Sequence, residues 1–116
     1  MVGPADVIQR QFDAYNAHDL EGFLANFHDD VTSYRMPSVE PSIRGKAALR
    51  EFYATQRFNR PALKAELLHR IVLGNKVFDH ERITGLSEQP IEMVAVFEVV
   101  ALDRGGLIQT TWFYSA

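Results

Sequence analysis

Leu63 to Thr84, LKAELLHRIVLGNKVFDHERIT, is the stretch whose reading decides the fold. Leu63, Ala65, Leu67, His69, Ile71 and Leu73 alternate with Lys64, Glu66 and Arg70, the period of two that gives a strand one buried face. On that alternation His69 reads as a satisfied buried histidine. Gly74-Asn75 supplies a hairpin turn, and Lys76 to Thr84 returns as a second long strand. Downstream, Gly85 to Pro90 reads as a loop and Ile91 to Leu102 as a third strand. Asp103-Arg104-Gly105-Gly106 then forms a turn before a last strand over Leu107 to Ser115.

Upstream of this stretch the period is helical. Pro4 suits a first helical turn, and Ile8, Phe12 and Tyr15 follow at i, i+4 and i+7. Asn16-Ala17-His18 breaks that helix, and Asp19 can cap a second one carrying Leu20, Phe23, Leu24 and Phe27. Val31 to Met36 reads as a short strand ended by Pro37, and Ser38 to Arg44 as a loop. Gly45 opens a third helix with Ala48, Leu49, Phe52 and Tyr53 as its apolar stripe, stopped at Asn59-Arg60-Pro61. His18 and His28 read as loop residues.

Three helices grouped before four consecutive strands predict an α+β domain, residues 1–116, with a mainly antiparallel sheet whose one face the helices cover. A strongly curved sheet closed by helices encloses a cavity. Ile91 to Leu102 is nearly apolar on both faces, so the uncovered side is expected to be buried too, against a second copy of the chain.

Composition sets the outer limits. The 116 residues are 47% hydrophobic and 23% charged, the balance of an ordinary folded domain with a single core. There is no cysteine, which excludes disulfides, thiolate metal sites and a thiol nucleophile, and a reducing cytoplasm is the expected location. No apolar run approaches the roughly 18 residues a membrane span needs, and no leader pattern opens the chain. A net charge of −3 with no Lys/Arg cluster argues against nucleic acid.

Other chemistries fail on spacing. His80-Glu81-Arg82-Ile83-Thr84 starts like a zinc-protease helix but ends in threonine and lies in a strand, so no metal site follows. Gly85-Leu86-Ser87-Glu88-Gln89 lacks the last glycine of a nucleophile elbow. Gly105-Gly106 joins two strands and does not enter a helix, so no phosphate-cradling loop exists. No cofactor is expected.

The segments Asp19-Leu20-Glu21-Gly22-Phe23, Phe27, Asp30-Val31, Met36-Pro37, and Gly45 before Phe52-Tyr53 resemble the first half of ketosteroid isomerase-like, SnoaL-like and limonene epoxide hydrolase-like proteins of the nuclear transport factor 2-like superfamily. Glu81-Arg82, Val96-Phe97-Glu98-Val99 and Leu107-Ile108-Gln109-Thr110 resemble the second half. The likeness covers nearly the whole chain and implies a cone-shaped, cystatin-like roll around an apolar pocket. It carries no single activity, since fold does not fix function. The isomerase base falls on Met36, and its helix-one tyrosine near Gln11, one turn before Tyr15. Its late-strand acid falls on Glu98. The arginine of the epoxide hydrolases falls on Arg82, but their two aspartates fall on Thr84 and Phe113.

The ionisable candidates are Asp79-His80-Glu81-Arg82 and Glu98. Strand parity puts Asp79 and Glu81 on one face, His80 and Arg82 on the other. If the second pair faces the cavity, His80 is a general acid or base and Arg82 stabilises an enolate. If the first does, two close carboxylates can share a proton. The plain alternative is a solvated row of cross-strand ion pairs. Glu98, among valines, could be a protonated oxyanion donor or could point outward. Tyr15, Tyr34, Met36, Phe52, Tyr53, Trp112 and Phe113 stand where the superfamily lines its cavity, and Tyr15, Tyr34, Met36, Phe52 and Phe113 are the lining expected here. The leading expectation is a cofactor-independent isomerase, cyclase or lyase acting on a small apolar carbonyl metabolite through His80, Arg82 and Glu98. Its rival is a non-catalytic ligand-binding or dimerisation module.

Overall fold

The hairpin at the centre of the sequence forms as read. In the computed structural model, which describes residues 2–116, Lys64–Leu73 pairs antiparallel with Lys76–Thr84 around the Gly74-Asn75 turn. The chain order is α1 (Pro4–Asn16), α2 (Leu20–Leu24), β1 (Phe27–Arg35), β2 (Pro41–Arg44), α3 (Lys46–Gln56), β3 (Lys64–Leu73), β4 (Lys76–Thr84), β5 (Ile91–Val100), a 3-10 turn (Leu102–Arg104) and β6 (Leu107–Ser115). One sheet runs β2-β1-β6-β5-β4-β3. β1 and β6 are parallel and the other neighbours antiparallel, so the α+β, mainly antiparallel fold is present.

Several boundaries differ from the sequence reading: α2 ends at Leu24, which leaves Phe27 off that helix, and α3 ends at Gln56, short of Asn59-Arg60-Pro61. β1 starts at Phe27, not Val31, because Phe27 already pairs with Ile108, and His28 is therefore a strand residue. Pro41–Arg44, expected as loop, is an edge strand on β1, where a proline's missing N–H costs no ladder bond. β5 ends at Val100, because Ala101 turns left-handed at φ 54.

The largest departure lies inside β3. Leu67 pairs with Glu81 and His69 with His80, leaving Leu68 as an extra residue, a β-bulge. A bulge reverses which side chains face inward beyond it. Leu63 and Ala65 are buried as expected, but His69 is exposed, and Ile71 and Leu73 lie outside at 53% and 72% exposure. Arg70, opposite Asp79, turns in.

α1 lays Val7, Ile8 and Gln11 on the inner face of the sheet. Its start is held by Asp6, whose carboxylate accepts the Gly3 N–H at 2.8 Å. Its end is held by Asn16, whose amide donates to the Ala65 carbonyl at 2.9 Å and accepts the Ala65 N–H at 2.7 Å. α2 is capped by Asp19, which accepts from Gly22 N–H at 3.0 Å. Gly106, at φ 80, lets α1 approach the sheet, since a Cβ there would stand 2.4 Å from the Val7 side chain.

The core gathers Val7, Ile8, Phe23, Leu24, Val31, Val77, Val99 and Ile108 between the helices and the sheet. Phe23, 1% exposed, has ring centroids of Phe27, Tyr53 and Phe58 within 4.9, 4.6 and 5.3 Å. Truncating such a ring to alanine costs about 3–5 kcal/mol. Beyond this aromatic cluster the packing opens into a cavity. Among the described residues no helix is long and apolar enough to cross a membrane.

Candidate active site

The cavity lies between α1, α3 and the inner faces of β1, β2, β4, β5 and β6, with about 690 Å³ of space counting its mouth. A concave site with an apolar lining and a few polar groups suits a small organic ligand. Its walls are mostly apolar: Phe12, Ile43, Phe52, Ile83, Met93, Phe97 and Phe113. The polar groups are Gln11, Tyr15 and Tyr53 from the helices, Ser33 and Arg35 from β1, Ser42 from β2, Arg57 after α3, and Glu81 from β4.

β4 alternates strictly. Val77, Asp79, Glu81 and Ile83 are buried on the inner face, and Phe78, His80 and Arg82 face the other way. The open choice between the two polar pairs therefore resolves toward Asp79 and Glu81, which play different parts. Asp79, with no exposed surface, is gripped by Arg70 through Nε at 2.7 Å and Nη2 at 2.9 Å. Gln9 holds the same guanidinium through a third bond of 2.8 Å. Glu81, 8% exposed, lines the cavity and has no ion-pair partner among the described residues. Burial, then the charge of Asp79, push its carboxyl up to about 8, against a smaller opposing pull from Arg70. Near neutral pH Glu81 is thus mostly protonated, yet within reach of both states.

The two tyrosines that line the same space sit edge to face, 6.4 Å between ring centroids. Burial raises both phenols, Tyr53 to about 12, so both remain O–H donors at neutral pH. Arg57 opposes that rise in each and stacks its guanidinium 4.8 Å from the Phe52 ring centroid. The Thr111 and Ser33 hydroxyls share a hydrogen bond of 2.8 Å.

Several residues expected in the site lie elsewhere. His80 and Arg82 are on the outer face, His80 Nε2 at 3.5 Å from Glu92 and Arg82 Nη1 at 3.1 Å from Glu66. Glu98 is outside as well, accepting from the Thr110 hydroxyl at 2.9 Å with Lys76 at 3.7 Å. The physical reason is parity: the continuous apolar series Met93, Ala95, Phe97 and Val99 claims the inner face of β5, which turns Glu98 out. Tyr34 stacks on Trp112 at 6.2 Å, and Trp112 is opposite Val96 on the outer face. Met36, just past β1, is not in the cavity wall, although its N–H donates to the Phe113 carbonyl at 2.8 Å. Tyr15, Phe52 and Phe113 do line it. Arg35, Arg57, Gln11 and Glu81 are the functional candidates to which the sequence reading assigned no role or no preference. For Glu81 the signal was present, because Val77 and Ile83 share its parity and only Phe78 is apolar on the other face. Arg35 and Arg57 carry no comparable mark.

The fold recurs in solved structures. A cystatin-fold protein from Novosphingobium aromaticivorans superposes with a TM-score of 0.85 at 21% identity, covering 97% of this chain and 98% of that one. A proposed ketosteroid isomerase from Kribbella flavida gives 0.80 at 19%, covering 97% and 77%. A proposed polyketide cyclase from Sinorhizobium meliloti gives 0.76 at 19%, covering 93% of each. At such identities the likeness speaks for the architecture alone: three helices folded over a curved sheet around a pocket. The sequence adds its own match over residues 8–110, nearly the full length of that architecture, and on that match the chain belongs to the SnoaL-like domain family.

Proposed function

We propose that the domain is a cofactor-independent enzyme that moves a proton on a small, largely apolar carbonyl compound, with Glu81 as the proton-carrying group. The observation that carries this reading is the unpaired carboxyl of Glu81 in the cavity wall, raised to about 8. A group titrating close to the working pH is best placed to take and return a proton. In its ionised form Glu81 removes the proton α to the carbonyl, and the C–H electron pair moves to the carbonyl oxygen. The Tyr15 and Tyr53 hydroxyls donate hydrogen bonds to that developing oxyanion. Glu81, now protonated, returns the proton to the same carbon or to a conjugated one, which completes exchange or isomerisation. The proposed isomerase and cyclase among the similar structures support this class of chemistry without fixing the substrate.

The test is deuterium exchange at the α positions of 2-tetralone in D2O, followed by NMR. Wild-type protein should accelerate exchange over buffer, and Glu81→Gln should lower the rate about 10²- to 10⁴-fold. Exchange at the buffer rate with wild-type protein, or an unchanged rate in Glu81→Gln, overturns the reading. If the ketone still binds while exchange is absent, the pocket belongs to a non-catalytic binding module instead.

A homodimer through the outer sheet face is the accompanying proposal. That face carries Tyr34, Phe78, Val94, Val96 and Trp112, with Ile71 and Tyr114 each more than half exposed. The row Tyr34, Trp112, Val96, Phe78 and Ile71 runs across the sheet between the Lys76–Glu98 and His80–Glu92 pairs, and an apolar band of this kind favours burial against an identical one. Sedimentation equilibrium should return twice the chain mass of 13.2 kDa, and a monomer at micromolar concentration refutes it.

A further inference from the structure

The ionisable side chains in the cavity wall do not balance. Apart from the two tyrosines they are Arg35, Arg57 and Glu81. Neither arginine has a carboxylate within ion-pair distance among the described residues. Both act on one point, since Arg57 and Arg35 are the two cations that favour the ionised form of the Tyr53 hydroxyl. Glu81 does not neutralise them, because burial and Asp79 keep it largely protonated. A chain of net charge −3 thus presents a local excess of two positive charges to a mostly apolar space. A low-dielectric wall focuses such a field on whatever enters.

The placement gives the charges an address. Arg35 is itself exposed and belongs to the end of β1, beside exposed Ser42 of β2, so this side of the cavity is its mouth. Arg57 is held over the Phe52 ring and donates through Nη1 to the Gln56 carbonyl at 2.8 Å, which spends one of its five N–H groups. Glu81 lies at the buried wall, on β4, with Phe97 and Met93 of β5 in the same lining.

We infer that the cavity takes a compact apolar molecule bearing one carboxylate, the carboxylate seated on Arg35 and Arg57 at the mouth and the apolar body reaching inward to Glu81. This rests on the proton-transfer reading of the same pocket and adds its substrate class: an apolar keto acid in place of a neutral ketone. Guanidinium groups suit a carboxylate because they donate paired N–H bonds in one plane.

The experiment compares 2-naphthoate with its neutral isostere 2-naphthamide by isothermal titration at pH 7. Wild-type protein should bind the carboxylate about tenfold or more tightly than the amide, about 1.4 kcal/mol or more. Arg35→Gln with Arg57→Gln should erase that preference, while a retained melting temperature reports an intact fold. His80→Ala, on the outer face of β4, should keep the preference. An amide that binds as well as the naphthoate overturns the proposal, as does a preference that survives in the double variant. Tight binding of inorganic phosphate without naphthoate overturns it too, and so does binding of neither aromatic probe. Failure of the 2-tetralone exchange with the naphthoate preference intact removes the proton chemistry alone. Exchange intact with no naphthoate preference removes the carboxylate seat alone.

Discussion

Arg70 grips Asp79 with two hydrogen bonds, 2.7 and 2.9 Å, and by doing so leaves Glu81, two residues along the same strand face, without a cation of its own. One carboxylate is compensated and structural, and the other is uncompensated and faces the cavity. The bulge at Leu68 makes this arrangement, because without it Arg70 would point out of the sheet.

Asp79→Asn should therefore act twice. Removing one member of a buried ion pair leaves Arg70 unpaired beside the core, a loss of about 3–5 kcal/mol in chemical denaturation. In the protein that remains folded, Glu81 loses a repelling neighbour and gains the freed guanidinium, so its carboxyl should titrate below the wild-type value of about 8. A carbon-13 NMR titration of the glutamate carboxyls checks the direction, and an unchanged or higher midpoint contradicts it.

Glu81 also links stability to pH. Its folded value, about 8, lies above its ordinary value of 4.5, so between them the unfolded chain has released a proton that the folded one still holds. Its contribution is fully present below pH 4.5 and is lost as pH rises toward 8, a fall on the order of 4 kcal/mol. Glu81→Gln should remove that fall and be the more stable protein at pH 8. Urea denaturation of both proteins at pH 5 and pH 8 reads the difference, and parallel losses would count against it.

The same titration should gate the carboxylate seat. The charged groups that act on Glu81 are Asp79 of β4 and Arg70 of β3, and Glu81 in turn acts on Tyr15 of α1 and Tyr53 of α3. Of these and Glu81 itself, Glu81 is the one raised to about 8, while Tyr53 is raised to about 12 and Tyr15 further upward. Once ionised, Glu81 adds a negative charge to the cavity that repels the ligand's own. Affinity for 2-naphthoate should fall between pH 7 and pH 9 in wild-type protein and stay level in Glu81→Gln. A fall of equal size in both proteins would assign the effect to another group.

His80→Ala and Arg82→Ala test the outer face directly. Their partners, Glu92 and Glu66, are solvent-exposed, and pairs of that kind contribute about 0–1 kcal/mol. Both variants should keep 2-tetralone exchange within about twofold of wild type. A loss approaching that of Glu81→Gln would return the chemistry to His80 or Arg82.

The architecture was legible because long elements carry strong periods. Ile8, Phe12 and Tyr15 mark α1, and the alternation on either side of Gly74-Asn75 marks the central hairpin, whose second strand runs Lys76–Thr84 as read. The site was legible only where a face could be assigned. Tyr15 reaches the cavity because α1 has one buried stripe, and Phe52 because α3 does. His80, Arg82 and Glu98 fell on the wrong side through a single step of parity, although the apolar residues flanking them, Val77 with Ile83 and Met93 with Phe97, held the answer. The inward turn of Arg70 had no such marker. Leu67-Leu68 looks like any apolar pair, and the extra residue becomes visible only against its partner strand. Arg35 and Arg57 are unremarkable in sequence, since tertiary folding alone brings a strand end and a helix end to one opening.

The bond pair between Asn16 and Ala65 has a mechanical meaning for the cavity. An asparagine amide offers the same donor and acceptor as a peptide unit, so for the length of one residue α1 stands in as a seventh strand at the edge of β3. That edge is thereby closed to a foreign strand at the very residue opposite Ile83. Tyr15, the neighbour of Asn16, is registered to the sheet through the same joint, which ties the helix carrying one cavity tyrosine to the strand beside the one that carries Glu81.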